Sequence, residues 1–234
     1  MRVKSLLLFD IDGTLLKSAG AGMRAMRSAG RRLFGDRMDW KGVEAPGSLD
    51  PIIFAEAARQ SGIADADLHH EAFRAQYLLD LKQELARHPH RVQTMPGVHE
   101  LLATLRERAA TRGDLVMGML TGNYGPAVSM KLEAIDVALD QFTVTAFGDE
   151  APNRADLVAL AMQRYEQITG EAADPRRVVV IGDTPRDVAC AHAHGCVCFA
   201  VATGEHSEAD LRAAGANYAV EDLADPAPLL ALLG

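Results

Sequence analysis

Aromatic side chains are scarce in this 234-residue chain, at 5% of positions with a single tryptophan. No stretch interleaves them with basic residues, which excludes the stacking surface that single-stranded nucleic acid requires. Positive charge is also short: 24 Lys and Arg stand against 32 Asp and Glu, for a net charge of −8. Broad attraction to nucleic acid or to an anionic membrane is not expected, although one cleft can still be basic. Cysteines number three, Cys190, Cys196 and Cys198, with no CxxC spacing. The odd count and the missing CxxC favour reduced, packed thiols in a reducing compartment. Cys196 and Cys198 alternate along one apolar run, so both side chains should face the same side of a sheet. Apolar runs of membrane-spanning length are missing, and the run that ends before Asp10 is too short for a secretory leader. The expected location is therefore cytoplasmic, with no membrane partner.

What is present suits an enzyme-sized globular fold. Hydrophobic residues make up 48% of the chain, enough for a real core, and the charged fraction of 24% is ordinary. Strand-like runs end at Phe9, near Leu120, near Phe147, at Ile181, at Val201 and near Val220. Helical periodicity fills the gaps, over 97–111, 126–135, 154–169, 185–194, 208–214 and 222–232. This alternation predicts an α/β fold, a Rossmann-like parallel sheet covered on both faces. One segment departs from it. Between Lys17 and Arg91 no strand pattern appears, and three helices are predicted instead, over 20–34, 51–60 and 67–87. Residues 1–16 and 92–234 are thus expected to form the core, and 17–91 an inserted helical cap.

Two acidic loops carry the chemistry. Asp10-Ile11-Asp12-Gly13-Thr14 directly follows Leu6-Leu7-Leu8-Phe9, and Gly182-Asp183-Thr184-Pro185-Arg186-Asp187 follows Val178-Val179-Val180-Ile181. Ligands of open parallel sheets bind beyond the carboxyl ends of the strands, which places both loops at one end of the sheet. Carboxylates that close raise each other's pKa unless a cation or proton intervenes. A divalent ion is the usual remedy, and Mg²⁺ prefers such oxygen ligands.

The run Asp10-Ile11-Asp12-Gly13-Thr14-Leu15 resembles the first motif of the haloacid dehalogenase superfamily, DxDGT[LV]. The other three motifs follow in order: Thr121 closing Met117-Gly118-Met119-Leu120, Arg154 in Ala151-Pro152-Asn153-Arg154, and Gly182 to Asp187 for GDxxxD. Single motifs of this length are weak, whereas four in order on suitable elements are specific. The resemblance implies phosphoryl transfer. Asp10 is the expected nucleophile, forming an aspartyl-phosphate, and Asp12 the general acid and base. Mg²⁺ is expected on the carboxylates of Asp10 and Asp183 and on the backbone carbonyl of Asp12. Thr121, with Gly122 and Asn123 behind it, and Arg154 are expected to bind the phosphoryl oxygens of a small phosphorylated metabolite. An arginine at position 154 departs from the lysine common in the superfamily and would bind as a fork. Asp187 is expected either to support the metal's water shell or to orient Arg154. Dehalogenases of the superfamily lack the second Asp of the first motif, so Asp12 favours phosphate chemistry.

The helical insertion resembles the small cap of phosphoglycolate-phosphatase-like members, a group that also contains a phosphosugar mutase and a phosphonate hydrolase. The expected activity is therefore Mg²⁺-dependent hydrolysis of a small phosphomonoester. A mutase of the β-phosphoglucomutase type and a non-catalytic binding relative are the alternatives. Relatives often place substrate contacts in the segment matching Gly47-Ser48-Leu49-Asp50-Pro51, which nominates Ser48. Asp50 before Pro51 reads as an N-cap with proline at the first helical position. Arg24, Arg27 and Arg31 share a helix face that is expected to be solvated. Of the cap lysines that a Schiff base would need, Lys17, Lys41 and Lys82, none has a recognisable context. His206, after a strand end, is a candidate for the entrance.

Overall fold

The structure, a computed structural model, describes residues 4–234; the first three residues of the expected core lie outside the described residues. Six parallel strands form the central sheet: β1 (Ser5–Phe9), β4 (Leu115–Leu120), β5 (Val144–Ala146), β6 (Val178–Gly182), β7 (Val197–Val201) and β8 (Tyr218–Val220). Their order across the sheet is β5-β4-β1-β6-β7-β8, which places the first strand near the centre. Successive strand side chains point to opposite faces. Leu7, Phe9, Val179 and Ile181 accordingly enter one apolar layer, while Leu6, Leu8, Val178 and Val180 enter the other. Burial on both faces is why these strands read as continuous apolar runs. Cys196 and Cys198 both fall in the second layer, as their alternation requires, and all three thiols are buried and free.

The core helices cover both faces. Helices α4 (Val98–Arg112) and α5 (Gly125–Glu133) lie on the first layer with the short α9 (Ala227–Ala231). Helices α6 (Arg154–Thr169), α7 (Pro185–His192) and α8 (Glu208–Ala213) lie on the second. The helix expected over 222–232 is only five residues long. Before it, the Asp222 and Asp225 carboxylates accept from the main-chain N–H of Ala224 and Ala227 at 2.8 and 3.0 Å, closing local turns where helix was expected.

Between β1 and α4 the chain leaves the sheet through β2 (Leu16–Lys17) and returns through β3 (Gln93–Thr94), an antiparallel ribbon. The excursion holds α1 (Ala21–Phe34), α2 (Asp50–Gln60) and α3 (Ala66–Arg87). They bury an apolar cluster of their own, with Met26, Ile53, Phe54, Phe73, Tyr77 and Leu81, which also takes in Tyr124 and Ala127 from the start of α5. Arg27 and Arg31 are exposed as expected, but Arg24 is half-buried and donates to Glu84 on α3 at 2.8 Å.

Candidate active site

The register of three adjacent strands builds the site. Phe9 is level with both Met119 and Ile181, so β1, β4 and β6 end side by side. Asp10, Thr121 and Asp183 emerge from those ends, and the Asp10 N–H donates to the Ile181 carbonyl at 2.9 Å. Asp10, Asp12, Thr121, Gly122, Asn123, Arg154 and Asp183, distant in sequence, line one cavity of about 420 Å³ with Ser48 and His206. Asp187 lies behind them, fully buried.

Each position has a local cause. Asn153 caps α6, accepting from the Asp156 N–H at 3.0 Å, and so fixes Arg154 as the first helical residue. The Arg154 guanidinium lies 3.1 Å from Asp10 and bonds Asp187 as well. Thr184 caps α7 with Pro185 behind it, and Asp187 closes a reciprocal capping box by accepting from the Thr184 N–H at 3.0 Å. Asp187 thus holds both the helix start and Arg154. Of its two expected roles, orienting the arginine is the one visible in direct contact. Gly182 permits this fold-back, since a Cβ there would lie 2.2 Å from the Asp187 carboxyl carbon.

Burial in this crowd is costly for carboxylates. Desolvation pushes Asp10 up to about 6, opposed by Arg154 and reinforced by Asp187 and Asp12. Asp183 is pushed up to about 8, first by burial and then by the neighbouring charges of Asp10 and Asp187. Arg154 serves Asp10 and Asp187, whereas among the described residues the Asp183 carboxylate accepts one side-chain hydrogen bond, from the Thr14 hydroxyl at 3.5 Å. One oxygen each from Asp10, Asp183 and Asp187 falls within 4.8 Å of the others. Three converging hard oxygens with an undercompensated carboxylate among them fit a small divalent cation such as Mg²⁺. Arg154 pairs with both Asp10 and Asp187, but Asp187 is also tied to the start of α7, which leaves Asp10 and Asp183 as the carboxylates best able to ligate it.

A family model described as haloacid dehalogenase-like hydrolase matches residues 7–192. The chain belongs to this family. A phosphoglycolate phosphatase from Chromobacterium violaceum is 27% identical over 220 residues, 93% of this chain and 92% of that protein. CbbY from Rhodobacter sphaeroides, solved in complex with phosphate, superposes with a TM-score of 0.71 at 20% identity, covering 95% of this chain and 96% of that one. A hydrolase from Pseudomonas syringae superposes with a TM-score of 0.69 at 21% identity, covering 97% and 98%. The family match takes in the helical excursion, and these likenesses extend over nearly the whole chain.

Two site residues were not anticipated. Asp50 does not cap its helix: Leu49 occupies that position, and the Asp50 carboxylate instead accepts from the Tyr124 N–H at 2.9 Å. The Asp50 N–H donates to the Gly122 carbonyl at 2.7 Å, so α2 is stitched to the loop that carries Thr121. The seam is tight, for a Cβ on Gly122 would lie 2.0 Å from the Ser48 carbonyl oxygen. Burial pushes Asp50 up to about 7, against the pull of Lys131 and of the Tyr124 N–H. The second is Lys131 on α5, 2% exposed, whose ammonium bonds the carboxylate of Asp12 and the side-chain oxygen of Asn123. A signal existed: Lys131 follows Ala127 and Val128 by four and three positions, on the buried face of an amphipathic helix. The cap arginines Arg24, Arg27 and Arg31 do not line the cavity, whereas Lys17 does.

Proposed function

We propose that this chain is a Mg²⁺-dependent phosphatase of small phosphomonoesters, of phosphoglycolate or sugar-phosphate size, working through an aspartyl-phosphate on Asp10. The observation that carries this reading is the convergence of Asp10, Asp12, Thr121, Arg154 and Asp183 on one cavity. The name of the Chromobacterium relative and the phosphate bound to CbbY support it. Asp10 and Asp183, with the Asp12 carbonyl, would hold Mg²⁺, which when bound supplies the positive charge that lets an anionic nucleophile approach an anionic phosphate.

The remaining chemistry belongs to the chain. The Asp10 carboxylate attacks phosphorus while the ester oxygen departs, and Asp12 gives that oxygen its proton. Asp12 then takes a proton from the water that attacks the aspartyl-phosphate, releasing phosphate and restoring Asp10. Thr121 and the N–H groups of Gly122 and Asn123 donate to the phosphoryl oxygens, and Arg154 neutralises them in a forked contact. The helical excursion over 17–91 acts as a lid that brings Ser48 over the substrate and excludes bulk water. Release of phosphate from a panel of phosphomonoesters, with Mg²⁺ or with EDTA, tests the reading. Metal-dependent release that falls at least ~10³-fold in Asp10→Asn is the expected result. Full activity in a pure Asp10→Asn sample would overturn the mechanism, and conversion of a sugar phosphate to its isomer without free phosphate would replace the phosphatase by a mutase.

A further inference from the structure

A buried lysine is expensive unless its charge is paired, and Lys131 is among the most buried polar residues of the chain. Its ammonium spans the carboxylate of Asp12 and the side-chain oxygen of Asn123. The two partners differ sharply in exposure: the Lys131 side chain is 3% exposed and that of Asp12 is 40% exposed. Among the described residues no other side chain is hydrogen-bonded to the Asp12 carboxylate. A half-exposed carboxylate on a loop would otherwise sample several rotamers, whereas a packed lysine stem gives it a fixed anchor. The site's two buried cations therefore divide the work, Arg154 holding Asp10 and Asp187 while Lys131 holds Asp12. Asn123 links the second group back to the phosphate loop, since its N–H donates to the Thr121 hydroxyl at 3.4 Å.

We propose that Lys131 is a positioning residue that fixes the Asp12 carboxylate on the leaving-group side of the cavity for proton transfer. The inference rests on the reading of Asp12 as general acid and base. It separates Lys131 from Arg154, which faces the phosphoryl group, and it gives a structural reason for the only lysine buried among the described residues.

The charge distribution supplies a test that a purely structural role would fail. Lys131→Met keeps the stem but leaves behind a half-exposed carboxylate that water can solvate. The variant should still fold, with a somewhat lower melting temperature, because the buried Asp50 carboxyl loses the compensating charge of Lys131. Turnover of an alkyl phosphate, whose leaving group needs a proton, should fall about 100-fold with KM within about threefold. Loss on p-nitrophenyl phosphate, with its stable leaving group, should be smaller in single-turnover formation of the phosphoenzyme. In the Asp12→Asn background, adding Lys131→Met should change turnover less than about threefold, because a group acting through Asp12 has nothing left to position. A raised KM with unchanged kcat would overturn the proposal by making Lys131 a substrate contact. So would full additivity with Asp12→Asn. Should Lys131→Met unfold, Asn123→Ala, which frees the ammonium from one of its two partners, is to show the same selective loss on the alkyl ester; equal loss on both esters would overturn the proposal. Absence of phosphate release by the wild-type protein would defeat the phosphatase reading itself, a result distinct from any of these.

Discussion

The floor and the roof of the cavity are built on opposite principles. The floor, at the ends of β1, β4 and β6 and the start of α6, concentrates charge: Asp10, Asp12 and Asp183 beside Arg154. The roof contributes Met23, Met26, Ile53 and Tyr77 to the same cavity, with none of the cap arginines among its lining. Floor residues are placed by strand register, which tolerates no slip, because a one-residue shift would turn every side chain to the other face. Roof residues are placed by helix packing in a separate apolar cluster, where the same volume can be filled in several ways. On the proposed reading, the reacting groups sit at the strand ends and on the core helices beside them, and the fit to the organic part of a substrate falls to the helices of the excursion. A change in the floor should alter turnover, and a change in the roof should alter which ester is accepted.

The sharpest way to break this contrast is to remove the floor's undercompensated charge. Asp183→Asn should lower turnover by at least ~10³-fold if Asp183 ligates the metal. The metal-free variant should be more stable than the metal-free wild type, by about 1–3 kcal/mol, because a buried like charge is gone. Mg²⁺ should no longer raise its melting temperature, whereas saturating Mg²⁺ at 100 times its Kd should stabilise the wild type by about 2.7 kcal/mol. An equal Mg²⁺-induced shift in both proteins would place the ion elsewhere.

The seam between floor and roof gives the next effect. Gly122 leaves no room for a side chain, its built Cβ falling 2.0 Å from the Ser48 carbonyl oxygen. Gly122→Ala must therefore push α2 away from the Thr121 loop and break the 2.7 Å bond between the Asp50 N–H and the Gly122 carbonyl. A stability loss of about 1–3 kcal/mol is expected, with an impaired kcat as Thr121 shifts. Denaturant midpoints and steady-state kinetics would show this, and wild-type values in both would mean that the seam is not a constraint.

How much of this was legible in the sequence follows the same division. Asp10, Thr121, Arg154 and Asp183 are readable because each directly follows a strand or opens a helix, so a local pattern fixes its position. The helices of the excursion were also readable to within a residue, from periodicity and turn residues, as with α3 at Ala66–Arg87. Contacts between segments were not. Asp50 before Pro51 looks like a helix cap locally, yet its carboxylate finds the Tyr124 N–H, 74 residues away. Lys131 carries no motif, and only its place on a buried helical stripe marks it. The shortened α9 reflects a local competition, side chains of Asp222 and Asp225 taking main-chain N–H groups that a helix would have used.

Asp50 supplies the most specific test of the seam. Its carboxyl is pushed up to about 7 from an ordinary 3.8, chiefly by burial. A carboxyl whose folded pKa exceeds its unfolded one favours folding only while protonated. Its contribution is therefore fully present below about pH 4 and is lost as pH rises through about 7. Asn at this position keeps an oxygen that can accept from the Tyr124 N–H but carries no charge. Asp50→Asn should match the wild type in stability near pH 4 and become more stable by about 4 kcal/mol near pH 8. Urea denaturation of both proteins at intervals across this range measures the gap directly. A gap that stays constant with pH would mean that Asp50 is ionised at little cost, its charge balanced by Lys131.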